Sequence, residues 1–250
     1  MLSRRSLVLA LACSRSLARY AHAAVPQIQG CCLIGGRAAD FGLRAYNLVG
    51  SDDMAYRLIP SSGDRETDHR LGRALLRLAK AFDVNPGCGF FDDRASPNAL
   101  AVQQSDVPGT EGTVLFGQQL FREVMSRHDD GIAVLAIFAH EFGHIAQFHS
   151  GIQDTLRAGQ RTIKLVELHA DFLAGFYLAQ RQAENPGLRL WSAGDLIHGL
   201  GDNNFSNPGH HGTAEERAMA IEGGYRLGRE AAPPFAKAMT AGGEFVRRFS

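Results

Sequence analysis

The residues best able to do chemistry are those of the pentapeptide His140-Glu141-Phe142-Gly143-His144. On a helix, histidines four positions apart lie one turn from each other on the same face, where both imidazoles can bind one metal ion. Glu141 lies about 100° round such a helix from His140, where it can reach a water on that ion without being a ligand. Zinc lowers the pKa of its water to about 7, and the carboxylate can take a proton from that water as it attacks a peptide carbonyl. The pattern predicts a zinc-dependent hydrolase, with His140 and His144 as ligands and Glu141 as the catalytic base.

A third protein ligand is expected on a second helix downstream. Glu167 and Asp171 are four residues apart and share a helix face. Glu167 can complete a His-His-Glu set that leaves one position for water, and Asp171 can hold a ligating imidazole by its other ring N–H. His169 is the alternative third ligand. We favour Glu167 and interpret His169 as a partly buried histidine whose hydrogen bonds are satisfied.

The helix that carries the pentapeptide is expected to be buried, because residues 132–139 are all apolar. We predict this helix over residues 131–149. Gly143 is poorly suited to a helix interior, and it can let substrate or another backbone approach closely. His149 falls about 140° from the metal-binding face. We therefore interpret His149 as a charge at the C-terminal end of the helix rather than a ligand.

The remaining elements predict an α+β fold. An amphipathic helix is expected over residues 65–82, and Thr213 with Glu216 forms a capping box at the start of a late helix. Short apolar runs separated by turn residues predict a small antiparallel sheet. The predicted strands lie at residues 90–91, 99–102 and 113–116, and the other predicted helices at residues 118–127, 153–183 and 213–228.

The motifs together resemble those of a known family. His140-Glu-Phe-Gly-His144, followed by Glu167-x-x-x-Asp171-x-x-x-Gly175, resembles the zinc metallopeptidases that include HtpX and the CAAX prenyl endopeptidases. Three further stretches agree in order, so that the resemblance covers about residues 65–228. They are Pro97-Asn98-Ala99-Leu100-Ala101, Gly112-Thr-Val-Leu-Phe-Gly117-Gln-Gln-Leu120 and His211-Gly-Thr-Ala-Glu-Glu216-Arg217.

The resemblance implies a zincin-like domain that binds one zinc ion through His140, His144 and Glu167. It also implies that Glu141 is the catalytic base. The strand at residues 99–102 would be an edge with which a substrate backbone pairs. The chain has none of the membrane spans of HtpX and the prenyl endopeptidases, so it is more similar to the exported members and their membrane-embedded substrates are not expected.

The resemblance also implies roles around the ligands. Asp171 would support a ligand, and His211 or Arg217 would stabilise the developing oxyanion. A salt bridge within its own helix is an equally good interpretation of Arg217. Gly212 stands where the family usually has proline, so the segment around His211 is expected to be set differently.

Composition excludes two classes of partner. The chain of 250 residues has 26 Lys and Arg against 26 Asp and Glu, with no basic stripe. We therefore expect no nucleic-acid partner and no polybasic membrane contact. The length and the 45% of hydrophobic residues suit one globular domain, which we place at residues 24–250.

The first 23 residues are interpreted as an export signal. Arg4 and Arg5 precede an apolar run at residues 6–13, and Ala21 and Ala23 provide a cleavage pattern. The paired arginines favour the twin-arginine route to the periplasm. The alternatives are an organelle transit peptide or a lipoprotein anchored to the membrane through Cys13. After cleavage three cysteines remain, and one disulfide from Cys31 or Cys32 to Cys88 is possible.

Three functions remain open at this stage. The first is an endopeptidase that cleaves polypeptides by attack of a zinc-bound water. The second is a zinc amidohydrolase that acts on a non-peptide amide. The third is a latent or chaperone-like envelope protein that keeps the peptidase fold, with His210 or His211 taking the open position on zinc.

Overall fold

A computed structural model describes residues 32–33, 58–94, 97–127, 131–190, 202–230 and 233–250. The predicted signal segment and its cleavage site lie outside these residues. So does almost all of the segment at residues 24–57. No helix in the described part of the chain is both long and apolar enough to cross a membrane.

The described residues form a mixed α+β structure, as predicted. The helices are α1 (Arg65–Phe82), α2 (Gln118–Arg127), α3 (Ile132–Ser150), α4 (Ile152–Arg157), α5 (Lys164–Glu184), α6 (Ala214–Arg229) and α7 (Phe235–Val246). The strands are β1 (Cys32–Leu33), β2 (Gly87–Phe91), β3 (Ala99–Val102) and β4 (Thr113–Gly117). The prediction for residues 65–82 is confirmed, and so is the capping box at the start of α6.

The sheet is mixed, so the prediction of an antiparallel sheet was wrong. Its strand order is β1-β3-β4-β2, and only β3 and β4 pair in the antiparallel sense. β2 pairs with β4 in parallel, from Gly87 opposite Thr113 to Phe91 opposite Gly117. The reason is the path of the chain. β3 does not pair with β2 but lies one strand position away from it, and β4, which follows β3 in a hairpin, occupies the position between them. Apolar patterning sets the strands but does not set this order.

β3 is not a free edge strand, contrary to the expectation for substrate pairing. β1 pairs with it in parallel, with Cys32 opposite Ala101 and Leu33 opposite Val102. The sheet positions beside Ala101 and Val102 are thus taken by this chain's own backbone.

The register of the sheet also excludes one of the possible disulfides. Cys32, Ala101, Val114 and Cys88 follow one another across the four strands. Three strand spacings separate the Cα atoms of Cys32 and Cys88 by about 14 Å. A disulfide requires a Cα separation of about 4.4–6.8 Å. Cys88 is accordingly a free, half-buried thiol, and burial raises its pKa to about 12.

α3 is the central helix of the core. With the exception of Leu135, every residue from Ile132 to Gln147 is buried. Its first half packs against the sheet and α1, through contacts such as that between the rings of Phe138 and Phe116. The His140–His144 motif therefore lies on a helix that is packed against its neighbours on several sides.

α5 crosses α3 at a glycine. A Cβ at Gly143 would lie 3.2 Å from the Cα of Ala170, so the two backbones meet directly beside the histidine pair. α6 packs on α5 in the same close manner. A side chain at Gly175 would overlap the carbonyl oxygen of Ile221, and one at Gly224 would overlap that of Phe172. As a result of these contacts, the first turns of α5 and α6 lie beside the His140–His144 motif on α3.

The single helix predicted over residues 153–183 is two helices. α4 ends at Arg157, and Gly159 adopts a positive φ of 74° that ends the first helical segment. α5 begins only at Lys164. α7 was not predicted, and it packs against α5 and α6.

Candidate metal centre

Three buried side chains converge between α3 and α5. The Nε2 atoms of His140 and His144 are 3.0 Å apart. The carboxylate of Glu167 faces both, with one oxygen 3.4 Å from Nε2 of His140 and the other 3.5 Å from Nε2 of His144. The three residues form the one group in the described part of the chain whose His, Cys, Asp or Glu ligand atoms are close enough to share a metal ion.

The opposite ring nitrogen of each histidine has a hydrogen-bond acceptor. Nδ1 of His140 lies 2.8 Å from Oδ1 of Asp171, and Nδ1 of His144 lies 2.9 Å from Oε1 of Gln147. A carboxylate and an amide oxygen only accept hydrogen bonds, so both Nδ1 atoms carry the proton. In the neutral rings both Nε2 atoms then present lone pairs to each other and to Glu167.

These residues fit a metal ion, because three electron-rich groups lie close together and few hydrogen bonds compensate their mutual repulsion. Both oxygens of Glu167 are fully buried, and neither receives a hydrogen bond from a described residue. A buried carboxylate in that state is costly unless a cation compensates it. Ligands at about 2.0–2.1 Å on a tetrahedral ion are about 3.3–3.4 Å apart, close to the separations found here. Two imidazoles and one carboxylate are a donor set that suits zinc.

Asp171 connects the ligand set to a buried arginine. Its Oδ2 accepts from Nε of Arg217 at 2.8 Å, and its Oδ1 accepts from the Nη2 group at 2.9 Å. Arg217 is in the first turn of α6 and is 2% exposed. Its ion pair with Asp171 joins α6 to α5, a partner that neither sequence interpretation of Arg217 named.

The charges of this cluster shift several pKa values. Burial opposes protonation of His140, but the carboxylates of Asp171 and Glu167 together outweigh it, and the pKa of His140 rises to about 10. Burial lowers the pKa of His144 to about 4. Burial also works against ionisation of Glu167, yet the neighbouring imidazoles lower the pKa of its carboxyl group.

Glu141 is fully buried in α3, directly after the first histidine. The segment containing His210 and His211 is held by Asp202. Oδ1 of Asp202 lies 2.6 Å from Nδ1 of His210, and Oδ2 accepts from the backbone N–H of His211 at 2.9 Å. A positive charge on His211 would be one of the causes that lower the pKa of the Glu167 carboxyl group.

Neither His210 nor His211 belongs to the cluster of His140, His144 and Glu167. The idea that one of them takes the open position on zinc therefore has no support. Gly212 adopts a φ of 99°, which proline cannot adopt because its ring fixes φ near −65°. The segment after His211 is thus set differently from one with proline at this position, as the sequence predicted.

The remaining histidines of the motifs are away from the cluster. His149 is exposed in the last turn of α3. His169 is fully rather than partly buried, and its ring nitrogens bond to Gln147 and to the carbonyl oxygen of Met239. Gln147 is the residue that the sequence reasoning missed. Its position three residues after His144, among buried apolar neighbours, was the available signal.

Comparison of the chain with protein-family models, with curated proteins and with solved structures gave no match. The resemblance to the HtpX and prenyl endopeptidase family accordingly remains a prediction from the motifs.

Proposed function

We propose that the chain is a zinc-dependent endopeptidase of the envelope, exported by its N-terminal segment, in a zincin-like domain. The observation that carries the proposal is the convergence of His140, His144 and Glu167, with Glu141 directly after His140 in α3. Neither oxygen of the buried Glu167 carboxylate has a hydrogen-bond partner among the described residues, and Nε2 of each histidine faces it.

His140, His144 and Glu167 would hold the ion. When bound, zinc supplies a Lewis acid that lowers the pKa of water to about 7 and polarises a carbonyl oxygen. Asp171 keeps the ring of His140 oriented with Nε2 towards the ion, and Arg217 keeps Asp171 ionised by lowering the pKa of its carboxyl group against the effect of burial.

Glu141 is the general base in this proposal. Its carboxylate accepts the proton of the water that attacks the peptide carbonyl, and it returns that proton to the leaving amine. No residue forms a covalent acyl-enzyme. The intact base favours an enzyme over a binding protein, because binding alone does not require a proton acceptor at this position.

His211 is the residue that we assign to the developing oxyanion. Asp202 holds its backbone, and a positive charge on His211 would help to lower the pKa of the Glu167 carboxyl group. Arg217 does not suit this role, because its Nε and Nη2 groups point at Asp171. The substrate is a polypeptide in this proposal.

Cleavage of casein by the chain from Ala24 tests the proposal. We expect zinc-dependent cleavage, and we expect Glu141→Gln to lower kcat/KM by about 10²–10⁴-fold, the usual contribution of a general base. The bound zinc should be unchanged in this variant, because Glu141 is not a ligand.

Glu66→Gln is the matched control, since it makes the same chemical change at an exposed glutamate of α1. It should leave kcat/KM unchanged. Cleavage that survives Glu141→Gln would refute the role of the base. A zinc-loaded chain that cleaves no polypeptide would instead favour the latent or binding alternative.

A further inference from the structure

A chain of hydrogen bonds leads from one of the proposed ligands to the C-terminal helix. His144, Gln147 and His169 are each fully buried. Nδ1 of His144 meets Oε1 of Gln147 at 2.9 Å, and Nε2 of Gln147 meets Nδ1 of His169 at 2.9 Å. Nε2 of His169 then lies 3.0 Å from the carbonyl oxygen of Met239 in α7. The chain thus joins α3, α5 and α7.

The direction of every bond in this chain is fixed by two backbone carbonyls. Nε2 of Gln147 also donates to the carbonyl oxygen of Val166 at 2.8 Å, and this identifies the nitrogen end of the amide. Oε1 of Gln147 can only accept, so Nδ1 of His144 carries a proton. At the other end, the carbonyl of Met239 can only accept, so Nε2 of His169 carries a proton and its Nδ1 accepts from Gln147.

α7 reaches His169 because it has a glycine at the contact. A Cβ at Gly242 would lie 2.8 Å from Cδ2 of the His169 ring and 3.0 Å from its Nε2. Gly243 differs, since a Cβ there would meet only the end of the Ile152 side chain, at 3.1 Å. The approach of α7 to the hydrogen-bond chain therefore depends on one of the two adjacent glycines.

We propose that Gln147 and His169 are positioning residues that hold His144 with its proton on Nδ1 and its lone pair on Nε2, and that the packing of α7 sets the zinc affinity through them. This inference rests on the proposed zinc site. It extends that site, because neither residue is a ligand and α7 contributes none. Loss of such an outer hydrogen bond typically lowers metal affinity by about 10–100-fold.

The first test is the tautomer of His144 in the zinc-free protein. Long-range ¹H–¹⁵N spectra of histidine-labelled chain distinguish a proton on Nδ1 from one on Nε2. We expect the Nδ1 form for His144 and the Nε2 form for His169. The opposite tautomer at either ring would overturn the proposal, and this result does not depend on whether the chain binds zinc.

The second test uses Gln147→Met, which keeps the side-chain length and removes both polar atoms. We expect the tautomer of His144 to shift towards Nε2–H and the zinc affinity, measured by competition with a chelator, to fall about 10–100-fold. Gln153→Met is the matched control, because Gln153 is also buried but has no hydrogen bond to the cluster. An unchanged tautomer and affinity in Gln147→Met would overturn the proposal.

The role of α7 is tested separately by Gly242→Ala against Gly243→Ala. The first variant should weaken zinc binding by about the same factor as Gln147→Met, and the second should leave it unchanged. Equal zinc affinities in the two glycine variants would refute the link to α7. If the wild-type chain bound no zinc, the proposed function would fail, whereas the spectra of the zinc-free protein would still test the hydrogen-bond chain.

Discussion

Asp171 shows how one buried side chain can serve both the stability and the chemistry of the cluster. It accepts the Nδ1 proton of His140 and the N–H groups of Arg217. Although burial opposes its ionisation, the charge of Arg217 holds the pKa of the Asp171 carboxyl group below its ordinary value. A negative charge next to the imidazole makes His140 a stronger electron donor on its opposite nitrogen.

Asp171→Asn should therefore damage two properties at once. It removes the charge that Asp171 contributes to its buried ion pair with Arg217, so we expect the free energy of unfolding to fall by about 3–5 kcal/mol. Zinc affinity should fall by about 10–100-fold, because the amide orients His140 less strongly. Urea unfolding and chelator competition measure the two effects.

The exposed pair of Asp92 and Arg94 provides a control for this variant. Asp92→Asn removes the same charge from an ion pair in contact with water, and it should cost less than about 1 kcal/mol. Equal losses of stability in Asp171→Asn and Asp92→Asn would contradict the account of a buried ion pair.

The residues of the cluster were more predictable than their partners. His140, Glu141 and His144 are local in sequence, so helix periodicity alone placed them together. Glu167 and Asp171 required the spacing of a second helix. The resemblance placed Arg217 near the ligands without naming its partner, since Asp171 is 46 residues away in the chain and only the packing of α6 on α5 brings the two together.

At the scale of elements, the cluster depends on close approach between helices. Glycines on α5 and α6 let the two backbones touch, and this contact places Arg217 next to Asp171. A helix pair with larger side chains at the crossing would lie farther apart, and the ion pair would not form.

Gly224→Ala tests this dependence. The new methyl group would overlap the carbonyl oxygen of Phe172, so α6 must move away from α5. We expect a loss of stability of about 1–3 kcal/mol from overpacking, with weaker zinc binding as Arg217 leaves Asp171. Thermal unfolding with and without zinc measures both effects.

Gly72→Ala makes the same substitution in α1, where the space beside the glycine is open. It should stabilise the chain by about 0.5–1 kcal/mol, because alanine is a better helix former. If Gly224→Ala also stabilised the chain, the close packing of α5 and α6 would be refuted.

Several long-range contacts could not be predicted from local sequence. The helix α2 was predicted correctly at residues 118–127, but its contact with Asp93, which accepts from the backbone N–H groups of Gln119 and Leu120, was not. That contact spans more than twenty residues. The parallel pairing of β2 with β4 is likewise a property of the chain path.

At the scale of the whole molecule, the fold brings three distant segments to one point. α3 supplies two histidines and the base, α5 supplies the carboxylate and α6 supplies the arginine behind it. α7 reaches the same region through His169. The sequence predicted the first two contributions by spacing. The resemblance named Arg217 but not its pairing with Asp171, and the contribution of α7 was not predicted, because both contacts arise from tertiary packing.

The zinc content of the purified chain is the most direct test of the whole account. After dialysis against a weak chelator, we predict one zinc ion per chain for the wild type. We also predict one for Glu141→Gln, and almost none for Glu167→Ala, which removes the third ligand. A wild-type chain without zinc, or a Glu167→Ala variant that retains it fully, would contradict the proposed metal centre.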